Sequence, residues 1–69
     1  MEMIFIDSSN VEQIGFDDQA GEIHVIFKNG RHYIYSPASQ EVFDEFRNAP
    51  SKGTYLNQVI KPRYSCREV

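Results

Sequence analysis

Sixty-nine residues suffice for one small domain, and a domain of this size buries only about 60% of its unfolded surface. Hydrophobic residues at 41% and charged residues at 25% describe an ordinary globular chain and exclude a disordered one. Ten acidic against seven basic side chains give a formal charge of −3, which excludes a globally basic duplex-DNA binder but leaves room for a local basic patch.

The first element is the β-prone run Met3-Ile4-Phe5-Ile6. It is too short for a membrane span or the core of a signal peptide. It is expected to add a fourth strand at a sheet edge, or else to pair with a copy of itself in a homodimer. Residues 1–7 thus form a leader, and residues 8–69 form the single domain. Asp7-Ser8-Ser9-Asn10 is a turn cluster. Val11 to Phe16 has a strand pattern, and Asp17 to Gly21 is a hairpin loop ending in a left-handed glycine. Glu22 to Lys28 is the second strand, rich in β-branched and aromatic residues. Asn29-Gly30 predicts a two-residue type I′ turn, and Arg31 to Tyr35 the third strand. After Ser36-Pro37 the period lengthens. Ser39 caps a predicted helix over 40–47, with Val42, Phe43 and Phe46 as its apolar stripe. Ser51 caps a second, running to Lys61 with Tyr55, Leu56, Val59 and Ile60 as its stripe, and Pro62 is expected to stop it. Arg63 to Val69 has the composition of a polar tail. The expected fold is α+β, in the order β-β-β-α-α: a three-stranded antiparallel meander with two helices packed on one face.

A two-residue turn would set Phe27 opposite His32, Ile26 opposite Tyr33, Val25 opposite Ile34 and His24 opposite Tyr35. One face would then carry Ile14, Phe16, Ile23, Val25, Phe27 and Ile34 under the helices. The other would carry His24, Ile26, Lys28, Arg31, Tyr33 and Tyr35. On that second face Tyr33, Tyr35 and His24 could stack unpaired bases while Lys28 and Arg31 hold phosphates. The same tyrosines could equally fill a second small core beneath the leader or the tail. Ser51-Lys52-Gly53 at a helix start could hold an anion, or Ser51 could simply be a cap. Lys52, Lys61, Arg63 and Arg67 could extend a basic edge.

Cys66 is the one cysteine, so no internal disulfide forms. With His24 and His32 it gives three scattered ligands, fewer than a structural zinc site needs, so no metal or other cofactor is expected. Asp17-Asp18 is turn chemistry. No nucleophile, base and orienting group come together, so no enzyme is expected.

Ser8-Ser9-Asn10-Val11, Gly15-Phe16-Asp17, Phe27-Lys28-Asn29-Gly30, Tyr33-Ile34-Tyr35, Ser51-Lys52-Gly53-x-Tyr55-x-Asn57 and Ile60 occur in this order. This pattern, from about Ser8 to the end, resembles the KTSC domain, named after the C-terminal domain of some bacterial lysyl-tRNA synthetases. Phe16 stands where many members have tyrosine. The resemblance implies a small stand-alone protein of bacteria or their phages with no assigned enzymatic activity, for which RNA binding is the usual suggestion. Together these readings lead us to expect a cytoplasmic, non-enzymatic module that binds RNA or single-stranded nucleic acid through Tyr33, Tyr35, His24, Lys28, Arg31, Lys52 and Arg63. The alternative is a protein-interaction module or small phage-type effector with a protein target. No membrane association is expected.

Overall fold

The computed structural model describes residues 1–69. Five antiparallel strands stand in sequence order: β1 (Met3–Phe5), β2 (Val11–Asp17), β3 (Glu22–Phe27), β4 (His32–Ser36) and β5 (Ser65–Glu68). Between β4 and β5 lie α1 (Gln40–Asn48) and a second helix, α2 (residues 52–63), whose middle section, Leu56–Ile60, is a π-helix. The architecture is α+β, as expected, with five strands rather than three or four.

The leader supplies β1, which pairs with β2 through Ile4 opposite Ile14. Met3 lies across Gly15, where a Cβ would collide with the Met3 sulfur. The first hairpin closes as its residues dictate. Gly21 takes φ +67°, and the Asp17 carboxylate accepts the Gln19 and Ala20 N–H groups at 3.1 and 3.3 Å.

The second hairpin corrects the expected register. A type I′ turn needs positive φ at both central residues. Gly30 has φ +90°, but Asn29 does not, and its Oδ1 instead accepts the Arg31 N–H at 3.0 Å. Phe27 and Arg31 therefore close a loop of three residues, Lys28, Asn29 and Gly30. The extra residue shifts the pairing by one: Val25 faces Tyr33, Ile23 faces Tyr35 and Ile26 faces His32. A one-residue slip moves every β4 side chain to the opposite face. Tyr33 and Tyr35 thus join the helix-covered face, whereas His32 and Ile34 join His24 and Ile26 on the open one. A bulge between Val11 and Gln13 likewise turns Val11 into the core, onto the same face as Ile14, which simple alternation along the strand would not allow.

Both caps form as expected: Ser39 Oγ accepts Val42 N–H, and Ser51 Oγ accepts Thr54 N–H, each at 3.3 Å. Phe43, Phe46, Leu56 and Ile60 then pack on Val11, Ile14, Ile23, Val25 and Tyr35 to make the core. Burying each large apolar side chain contributes roughly 1.5–3 kcal/mol before entropy. Pro62 does not stop α2. It has no N–H to donate, and the turn before it is wound wider, with the Lys61 N–H reaching back to the Leu56 carbonyl. The helix ends at Arg63. The expected polar tail is β5, pairing Cys66 with Tyr35 and Glu68 with Tyr33. No helix is long and apolar enough to cross a membrane.

Candidate binding cleft

The helices leave one part of their sheet face uncovered. Phe27, Tyr33, Tyr35 and Cys66 line a cleft of about 410 Å³ there, with Lys61 of α2 beside them. Alternation on three neighbouring strands brings these side chains together. Tyr33 and Tyr35 are two apart on β4, Phe27 ends β3, and Cys66 is the β5 partner of Tyr35. Phe27 and Tyr33 meet edge to face, with ring centroids 5.7 Å apart. Tyr35 is buried and forms the floor, whereas Tyr33 is only half-buried. Burial, together with Cys66 beside it, pushes the Tyr35 phenol well above its ordinary range, so it stays protonated and can donate a hydrogen bond.

The predicted site residues are therefore divided between places. Tyr33 and Tyr35 stand in the cleft. His24 lies on the opposite face of the sheet and cannot share a stacking platform with them. Arg31 forms an ion pair with Glu68 at 3.0 Å. Lys52 donates from Nζ to the Ala49 carbonyl at 2.7 Å, which ties it to the start of α2. Lys28 is exposed in the loop after Phe27 and has no ion-pair partner, and the same holds for Arg63. Arg63 is not among the residues that line the cleft. Phe27 and Cys66 escaped the sequence reading of the site, and Lys61 entered it only as part of a basic edge. The parity of the Asn29-Gly30 loop is the signal that would have put Phe27 and the tyrosines on one face.

On the open face a polar chain crosses the sheet. His24 Nδ1 lies 2.9 Å from His32 Nε2, His24 Nε2 lies 3.6 Å from Glu22, and Glu22 accepts from Arg67 at 2.9 Å. Burial, and then the neighbouring His32, hold the His24 imidazolium pKa below its ordinary value, against the opposing pull of Glu22.

Comparison with known proteins places this architecture. The KTSC domain matches residues 7–64. The chain belongs to the KTSC domain family. It is 34% identical over 59 residues to a protein of Tsukamurella paurometabola, covering 86% of this chain and 88% of that one. It is 31% identical over 64 residues to an uncharacterized protein of Stutzerimonas stutzeri, covering 93% and 90%. The crystal structure of a KTSC domain protein from Yersinia pestis superposes with a TM-score of 0.90 at 28% identity, over 99% of this chain and 96% of that one. Strands β1 and β5 fall outside the residues matched to the KTSC domain, yet the structural match spans almost the whole chain. Both edge strands therefore belong to the fold that the two proteins share.

Proposed function

We propose that this KTSC domain is a non-enzymatic cytoplasmic module that binds short single-stranded RNA in the cleft between β4, β5 and α2. The observation that carries the reading is the cleft's lining, an aromatic wall of Phe27 and Tyr33 with Lys61 at its side. A base inserted there would stack on Tyr33, a contact worth about 1–3 kcal/mol. The Tyr35 hydroxyl on the floor would donate to a base edge, and Lys61 would meet the adjoining phosphate. Lys28, exposed just beyond Phe27, is the second cation for the strand. Arg31 and Lys52, expected to hold phosphates, are left out of this reading because they are paired or tied elsewhere, and Arg63 because it does not line the cleft.

Fluorescence titration of a labelled uridine-rich hexamer tests it. With two cations engaged, binding should weaken only gently with salt, with a log–log slope of about −1 to −2. Tyr33→Ala should weaken binding about tenfold. His24→Gln, on the opposite face, should leave it unchanged. Absence of saturable binding at low salt, or equal losses in the two variants, would remove the cleft from the account.

A second reading is supported by one surface. Phe5 of the edge strand β1 is 76% exposed, a large apolar side chain beside unpaired backbone groups. A protein partner could add a strand there. A partner captured from lysate that survives nuclease treatment and is lost in Phe5→Lys would favour this reading.

A further inference from the structure

The β1 edge of the sheet lies at the far side from the cleft, and what pairs there is independent of RNA binding. The Ile6 N–H donates to the Glu12 carbonyl at 2.9 Å, and Ile4 stands opposite Ile14 in the same ladder. Backbone groups alternate in direction along a strand, so those of Ile4 and Ile6 point to β2. The N–H and C=O groups of Met3 and Phe5 therefore point outward along an open edge. The side chains sort as well. Ile4, across from Ile14, packs against the core. Met3 and Phe5 stand on the open face, with Met3 over Gly15 and Phe5 76% exposed.

The two edges of the sheet are guarded differently. β5 is exposed along its length, and its Arg67 and Glu68 are held in ion pairs, a charged edge that discourages strand addition. β1 has no such device: Met3 to Ile6 carries no charge and no proline, and its pairing with β2 has no bulge. It is self-complementary instead. Turned about a two-fold axis through Ile4, it sets Met3 opposite Phe5 of a second copy, and Phe5 opposite that copy's Met3. Each such pair exchanges both of its N–H···O=C bonds, so this register satisfies every outward backbone group of β1. It also lays each exposed Phe5 ring beside a Met3 thioether, a favourable sulfur–aromatic contact. No like charges meet, because Glu2 falls opposite Ile6 and Asp7 opposite Met1 of the other copy. We propose that the chain forms a two-fold symmetric dimer by antiparallel pairing of β1 with β1 of a second copy, joining two five-stranded sheets into one. The assembly closes at two copies, since each spends its one unguarded edge. With three residues in each strand, the contact falls well short of the ~1,600 Å² of a standard interface, so the dimer is weak, with a Kd of about 0.1 mM.

Sedimentation equilibrium of the purified full chain from about 10 μM to about 1 mM tests this, because mass action then carries it through the transition. The mean mass should rise from that of one chain towards that of two. Phe5→Lys removes the ring and puts a cation on each copy. It should weaken association at least about tenfold and, at so exposed a position, leave the Tm unchanged. Hydrogen exchange followed by NMR should show the Met3 and Phe5 amides gaining protection with concentration, while the β5 edge stays as it was. Only the purified chain is present, so failure here is separate from failure of strand addition by another protein. A chain that stays monomeric at about 1 mM, association indifferent to Phe5→Lys, or protection arising along β5 instead would each overturn the proposal.

Discussion

His24 is one of the few polar residues inside this sheet, only 9% exposed. Its depressed pKa makes stability depend on pH. The unfolded chain takes up a proton at this position as the pH falls through about 6.5, the ordinary histidine value, while the folded chain resists doing so. More protons bound in the unfolded state mean that stability is lost on acidification, until folded His24 also protonates. Melting curves between about pH 7 and about pH 5.5 should show the Tm falling faster in the wild type than in His24→Gln. Parallel slopes would show that other groups set the acid limit. The exposed pair Arg31–Glu68 is a weaker matter at this scale. Both side chains are substantially solvent-accessible, so the pair orients β5 more than it stabilises the domain.

At the scale of elements, the second hairpin decides what the protein can do. Gly30 supplies the positive φ that closes the three-residue loop. Gly30→Ala would force an L side chain into that region at a cost of about 1–2 kcal/mol. In a domain this small, differential scanning calorimetry should register a Tm drop of about 4–8 °C per kcal/mol. An unchanged Tm would mean the loop tolerates another conformation. Helix positions were readable from residues: the serine caps, the stripes Phe43/Phe46 and Leu56/Ile60, and the face of β3 all stand as their patterns indicate. Two things were not readable. Asn-Gly is compatible with loops of two or three residues, and these differ in parity, so the same signal places Tyr33 on either face. The outcome rests on the Asn29 side chain capturing the Arg31 N–H. The strand β5 was hidden for another reason. Ser65–Glu68 is exposed along its whole length and carries no apolar alternation, because it joins the sheet through backbone pairing with β4 and through polar contacts of Arg67 with Glu22 and Glu68 with Arg31. Pro62 misled for a local reason, since a widened turn accommodates its missing N–H.

Over the whole molecule, the charge of −3 is a sum of unlike regions. Arg31 and Arg67 are neutralised by Glu68 and Glu22. Lys61 beside the cleft and Lys28 at the hairpin tip remain without ion-pair partners. The two faces of the sheet are thus specialised, one with an aromatic cleft and the other with a histidine–carboxylate chain. The sequence reading merged them into one site, with His24 beside Tyr33 and Tyr35, because one register error joins what the fold separates. The central claim is that ligand binding belongs to the cleft. The most direct measurement is amide and side-chain NMR shift mapping of the full chain during titration with the uridine-rich hexamer. The account predicts progressive, saturable shifts concentrated at Phe27, Tyr33, Tyr35, Lys61 and Cys66, with His24, Ile26 and Ile34 unmoved. Shifts centred on the open face, or none anywhere, would contradict it.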